Sequence, residues 1–435
     1  MQLAPTVPDP RGHPVLERLA SVVAAPGPAA AERLWSEAAR MTTPVVRGVP
    51  DDPATCEVTF LWRASGSDVT SVCLNGAPVW HESDEVLDHP DGLVGATRMV
   101  PVPGTDVWWR SYLAPSHLRT HYSFQEARGS DTGDRPDLPD PFNPRRWPDA
   151  PAAEPPLPEW EEEALGWPYL ELPDAPAAAW TGTGPGVARG ELTLHRVRST
   201  IRADERRVWV WIPPAGPSGS SDSALPVLVM HDGWHWTLPG SSIATMLDHL
   251  ISAGTVPRMV VVAQESPSGA RDELACDPRF VDFLTEELLP WVRHRWPVTT
   301  HPERTAVGGQ SLGGLNAVYA AHRRPDVFGA VLSQSGSFWW PDGTPFGTGA
   351  GEVMRMYAEQ PRPSVRFSLD VGLLEGRMVA VNRHLRDVLV AGGHDVTYRE
   401  FMGGHTWLTW AAALPESLRA VTRGWSSDVE QWRGL

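Results

Sequence analysis

The spacing of apolar positions changes twice along the chain. Residues 1–45 carry two short amphipathic runs, at 15–23 and 29–41, which predict a helical lead-in. From Cys56 the period falls to two. Val58, Phe60 and Trp62 share one face of the segment 57–63, and strand-like runs follow at 71–74, 97–102, 107–113 and 121–124. Short alternating segments split by Gly, Asp and Asn turns predict a small all-β sandwich domain over 46–145. Prolines and aspartates then dominate 134–158 and recur in Leu172-Pro173-Asp174-Ala175-Pro176. Proline fixes its own φ and donates no backbone N–H, so 146–190 reads as a stiff, Pro-rich connector.

A third regime begins at 191. Segments 191–198 and 206–212 alternate as a hairpin of edge strands would. Pro226-Val227-Leu228-Val229-Met230 and Met259-Val260-Val261-Val262-Ala263 are continuous apolar runs, the mark of strands buried on both faces. Residues 243–251 between them suit a helix, which makes a β-α-β unit. Phe280, Leu284, Leu288 and Trp291 line one face of a long helix over 278–296, stopped by Pro297. Later strands are expected at 331–335, 365–371 and 396–402. This alternation from 191 to 435 predicts an α/β domain, a mostly parallel sheet with helices on both faces.

Inside that domain, Val307-Gly308-Gly309-Gln310-Ser311-Leu312-Gly313-Gly314 contains G-x-S-x-G centred on Ser311. A buried strand is expected before it, and Leu315, Ala317, Val318, Ala320 and Ala321 mark a small-residue helix after it. A serine in such a turn is lifted clear of the sheet on strained backbone, and glycines two residues either side avoid collision. This nucleophile elbow makes the domain an α/β-hydrolase, in which the acid and then the histidine follow the serine. His322 is expected on the solvated side of the elbow helix and His384 in a later helix. His394 lies in a turn before a strand. His405, in the loop Gly403-Gly404-His405-Thr406-Trp407 after the last strand, is where this fold presents its base and is the expected one. Glu375, just past the strand 365–371, is the expected acid, with Asp370 inside that strand as its competitor. The N–H of Leu312 is one expected oxyanion donor; Gly233 or Trp234, in the loop His231-Asp232-Gly233-Trp234, supplies the other. Arg271, after the strand 259–263, is placed either to reach an anionic substrate or to pair with Asp272 or Glu273.

Composition narrows the class. The formal charge of −16 argues against a general nucleic-acid or anionic-membrane binder, while leaving room for a local arginine cluster on an anionic ligand. Three cysteines form no disulfide framework, although Cys56 and Cys73 would suit adjacent strands. No signal peptide or membrane-length apolar run is read, so the expected location is cytoplasmic. No clustered His/Cys spacing suggests a metal site, and no cofactor is expected. With 21 tryptophans, the chain has flat surfaces to spare for an aromatic ligand.

The elbow segment and the run Phe328-Gly329-Ala330-Val331-Leu332-Ser333-Gln334-Ser335-Gly336-Ser337-Phe338-Trp339-Trp340 resemble the bacterial enterochelin (ferric enterobactin) esterases. So do Asp232-Gly233, Arg271 through Glu273-Leu274, Gly403-Gly404-His405 and the hairpin at Arg196-Val197-Arg198-Ser199. The resemblance extends to Thr105-Asp106-Val107-Trp108 and Asp140-Pro141-Phe142-Asn143-Pro144, and so covers most of the chain from about 45 onward. It implies an N-terminal β-sandwich before the hydrolase domain, and cytoplasmic hydrolysis of the ester bonds of a ferric triscatecholate trilactone to release iron. It further implies Ser311 as nucleophile, His405 as base and Arg271 at the substrate, with carboxylates matching at both Glu375 and Asp370. A ferric triscatecholate is anionic, aromatic and large, so Arg271 with Trp339 and Trp340 suits it, and iron arrives as part of the substrate. The rival expectations are a feruloyl-type esterase and a non-catalytic ferric-siderophore binding protein.

Overall fold

The computed structural model describes residues 14, 15, 17, 30–76, 97–129, 135–147, 166–176, 186–216, 224–238, 241–266, 271–341, 351–360 and 363–425. The amphipathic run at 15–23 lies almost wholly outside them. The chain divides into two units: Met1–Ala177 with Leu374–Gly376 and Met402–Thr409, and the remainder.

In the first unit, helix α1 (Ala30–Met41) buries Trp35, whose ring stacks on Phe142 at 5.1 Å and whose indole N–H donates to Asp106 at 3.0 Å. Eight strands follow: β1 (Val45–Val49), β2 (Asp52–Arg63), β3 (Val69–Gly76), β4 (Val100–Pro101), β5 (Val107–Pro115), β6 (Arg119–Arg128), β7 (Arg146–Trp147) and β8 (Trp167–Glu171). They form two antiparallel four-stranded sheets, β1-β2-β5-β4 and β3-β6-β8-β7. The period-two pattern builds their shared core: Val58, Phe60 and Tyr112 from one sheet meet Val72, Leu74, Tyr122, Phe124 and Leu170 from the other. Each such side chain taken out of water contributes about 1.5–3 kcal/mol.

Three features differ from the sequence expectations. The run 97–102 yields only the two paired residues of β4, where Pro101 lacks the N–H a longer strand would use. Strands β7 and β8 lie inside the stretch expected as connector. Cys56 and Cys73 are free, on β2 and β3 of different sheets. The proline-rich turn at 140–144 is pinned by a buried carboxylate. Asp140 accepts from the Thr43 hydroxyl at 2.9 Å, the Tyr122 hydroxyl at 2.7 Å and the Phe142 N–H at 2.8 Å. Burial still leaves its pKa above the ordinary carboxylate value.

The second unit is built on strands β9 (Glu191–Ser199), β10 (Asp204–Ile212), β11 (Val227–Met230), β12 (Val260–Gln264), β13 (Thr305–Gln310), β14 (Ala330–Gln334), β15 (Arg366–Gly372) and β16 (Asp395–Phe401). They form one sheet in the order β16-β15-β14-β13-β11-β12-β10-β9. Strands β11 to β16 are mutually parallel, and β10 and β9 close one edge as an antiparallel hairpin. The two apolar runs that predicted doubly buried strands are fully buried as β11 and β12, and β13 and β14 are fully buried as well. Helix α2 (Ile243–Ser252) completes the expected β-α-β unit. The long helix expected over 278–296 is helical from 278 to 295 but widens into a π-turn at Phe283–Leu288. Pro290 comes two residues later, in the first turn of the α-helix Leu289–Arg295. Having no N–H to give and a ring that collides with the carbonyl four residues back, it cannot continue a regular α-helix.

Candidate active site

Strand β13 runs into the helix Leu312–Arg323 through Ser311, whose backbone sits at φ 52°, ψ −118°. Side-chain-bearing residues rarely adopt that conformation, and it costs on the order of 1–3 kcal/mol. Gly309 explains how the turn closes: a Cβ there would stand 2.6 Å from the Gly313 backbone. The elbow is held from both sides. The Ser311 N–H donates to the Gln334 carbonyl at 3.0 Å, and the Ser337 N–H donates to the Ser311 carbonyl at 3.0 Å. The Ser337 hydroxyl lies 3.2 Å from the Ser311 hydroxyl. Leu312 is the first helical residue, so its N–H belongs to the set at a helix start that finds no intrahelical acceptor.

The neighbouring strand β11 delivers the loop expected to supply the second oxyanion donor. Gly233 and Trp234 open a 3-10 turn, Gly233–Thr237, behind Asp232 in the left-handed region at φ 54°. Gly233 packs so closely that a Cβ would stand 2.5 Å from the Ala263 carbonyl of β12. The loop also abuts the elbow helix: the Cβ direction of Gly313 points to His231 Cβ and Asp232 Oδ2, each 3.3 Å away. Burial pushes the Asp232 carboxyl up to about 6 and the imidazoles of His231 and His235 down to about 3.

Both expected triad partners belong to the first unit, in Leu374–Gly376 and Met402–Thr409. His405 Nδ1 and Glu375 Oε2 are 2.6 Å apart; Glu375 is fully buried, and the His405 side chain is 27% exposed. A carboxylate accepts only, so Nδ1 carries the proton and Nε2 is left with a basic lone pair. The two loops are tied together by the Leu374 N–H on the Gly403 carbonyl at 3.0 Å, and Thr409 Oγ1 donates to the Gly404 carbonyl at 2.6 Å. The competing acid is otherwise engaged. Asp370, buried in β15, receives Arg399 Nε at 3.1 Å on one oxygen, and Arg399 Nη2 at 2.8 Å with the Ser417 hydroxyl on the other.

The remaining candidates fall in varied settings. Arg271 opens the short helix Arg271–Leu274, and its side chain lies outside the described residues. Glu273, a partner considered for it, binds Arg202 at 2.5 Å and Arg206 at 2.7 Å. Trp339 and Trp340 are half-buried, with centroids 6.0 Å apart. Trp339 packs on Val371, Met378, Val379 and Val381. His322 is not solvated but buried at 1% exposure, edge-on to Tyr357 at 4.7 Å. His384 is exposed in its helix. His394 accepts from the Val365 N–H at 3.1 Å, at the starting ends of β15 and β16 and so away from the elbow's end of the sheet. Ser337 and Asp232 also lie beside the elbow, and the sequence pattern assigns neither a role. Both stand within motifs already singled out, but only their contacts distinguish them from their neighbours. Among the described residues no group of His, Cys, Asp and Glu could hold a metal ion, and no helix is long and apolar enough to cross a membrane.

A mostly parallel sheet with a strained serine at a strand-to-helix turn, following an all-β unit, defines an α/β-hydrolase with an N-terminal domain. The Esterase family model matches residues 199–421, and the model "Enterochelin esterase, N-terminal" matches residues 57–181. The chain belongs to the enterochelin esterase family and is a carboxylic ester hydrolase. It is 30% identical to the iron(III) enterobactin esterase of Dickeya dadantii, over 90% of this chain and 93% of that one. With the iron(III) salmochelin esterase of Escherichia coli O6:H1 it shares 29% identity over 88% and 92% of the two chains. The crystal structure of the ferric enterobactin esterase from Salmonella typhimurium superposes with a TM-score of 0.71 at 25% identity, covering 89% of this chain and 98% of that one.

Proposed function

We propose that the protein is a serine esterase that opens the ester bonds of a ferric triscatecholate trilactone, releasing its iron in the cytoplasm. The observation that carries the mechanism is the backbone of Ser311, strained at φ 52° in a turn that presents a helix start to the same residue. In this reading Ser311 Oγ attacks a lactone carbonyl while His405 Nε2 takes its proton, with Glu375 fixing the tautomer and stabilising the imidazolium. The N–H groups of Leu312 and of Gly233 or Trp234 receive the oxyanion. His405 then returns the proton to the departing serine alkoxide of the substrate, and water attacks the acyl-enzyme by the same route.

The substrate class draws its support from the relatives, named for iron(III) enterobactin and iron(III) salmochelin. Arg271, Trp339 and Trp340 are proposed to meet the anionic, aromatic catecholates. Three free cysteines agree with a reducing compartment. The test is product mass after incubation with iron-loaded cyclic and linear catechol esters. Wild type should yield ring-opened trimer and shorter fragments, and Ser311→Ala about 10³-fold less or nothing. Intact trilactone after wild-type treatment, alongside hydrolysis of feruloyl esters, would move the substrate to plant phenolics.

A further inference from the structure

We propose that Leu374 and Met402 are positioning residues, through which the β-sandwich core of the first unit holds the Glu375–His405 pair in its reactive geometry. The inference rests on the reading of that pair as acid and base. Leu374 immediately precedes Glu375. It is 5% exposed and belongs to the same packed cluster as Val58, Phe60, Leu74, Tyr122 and Phe124. Met402, three residues before His405, packs against that cluster too. The neighbour on the other side, Leu373, is 42% exposed, so the turn sends one leucine outward and the next into the core.

The consequence is geometric. The acid and base stand on loops, the least rigid place for such a pair. The Glu375 loop sends Leu374 into a packed interior, where rotamers are fixed by their neighbours, and the His405 loop lays the half-buried Met402 against it. The Leu374 N–H bonded to the Gly403 carbonyl at 3.0 Å couples the two loops between those anchors. The sandwich, which holds none of the other expected catalytic groups, thereby sets the orientation of the imidazole.

The test compares Leu374→Ala and Met402→Ala with Leu74→Ala, a truncation of the same residue type in the same core on β3. Turnover of a soluble p-nitrophenyl ester, the thermal midpoint and the downfield proton resonance of His405 Nδ1–H are measured on each full-length variant. Leu374→Ala should lower kcat about 10–100-fold with KM within about threefold, and should broaden or lose the imidazole resonance. Met402→Ala should act in the same direction more weakly. Leu74→Ala should lower the thermal midpoint while keeping kcat within about twofold and the resonance intact, and Leu374→Met should restore most of kcat. An unchanged kcat in Leu374→Ala, or an equal loss in Leu74→Ala, overturns the positioning role. His405→Ala separates the underlying reading: turnover retained there removes the base itself, and the proposal with it.

Discussion

At the residue scale, the site turns on a few close approaches. Gly309→Ala would place a methyl 2.6 Å from the Gly313 backbone, which no flexible side chain can relieve. The elbow must open, and activity is expected to fall at least about 10²-fold in purified, folded protein, checked by ester turnover beside circular dichroism. The two carboxylates should separate cleanly. Glu375→Gln keeps the shape but alters the tautomer held at His405, so kcat is expected to fall about 10³- to 10⁴-fold with little change in thermal midpoint. Asp370→Asn weakens the charge-assisted hydrogen bonds between a buried carboxylate and the half-buried Arg399, so the expected loss is in stability, about 1–3 kcal/mol by urea unfolding, with kcat within a few-fold. The elbow was legible in the sequence because its requirements lie within five residues. The ion pair that engages Asp370 was not, because it depends on Arg399 and Ser417, 29 and 47 residues away.

At the element scale, periodicity carried most of the fold. Doubly buried strands announce themselves as unbroken apolar runs, and β11 and β12 lie within a residue of where those runs fall. Periodicity misled where proline dominates. The segment 146–190 reads as connector, yet within it Trp167, Tyr169 and Glu171 alternate with buried Pro168 and Leu170 in β8. That pairing depends on β6, which local composition does not encode. The turn at 140–144 is the same kind of case, ordered by the Asp140 carboxylate and not by its prolines. Asp140→Ala would leave the buried Tyr122 and Thr43 hydroxyls and the Phe142 N–H without this acceptor. A loss of about 3 kcal/mol is expected in urea unfolding, and a loss under 0.5 kcal/mol would show the network to be dispensable.

At the scale of the whole molecule, the buried His231 and the half-buried His121 and His235 shape the response to acid. His121 is pushed down to about 4 and His231 and His235 to about 3, all by burial. Between pH 6.5 and about 4 the unfolded chain therefore binds three protons that the folded chain refuses, and stability falls as pH falls. Asp232, raised to about 6, works the other way, since the folded state holds its proton between about pH 4 and 6. His195 and His394, also lowered by burial, add to the first effect, and Asp140 and Asp248, also raised by burial, add to the second; the imidazoles are the more numerous, so stability is expected to fall from pH 7 to pH 5. Unfolding titrations at pH 7, 6 and 5 check this; flat stability over that range would place these imidazoles in contact with solvent. The catalytic reading is tested most directly by the mass of the enzyme itself, quenched within its first turnovers of the iron-free trilactone. Ring opening keeps the leaving alkoxide on the acyl chain, so the expected adduct equals the intact substrate in mass, on the peptide that contains Ser311. Turnover with no adduct, or with the adduct on another residue, would contradict Ser311 as the nucleophile.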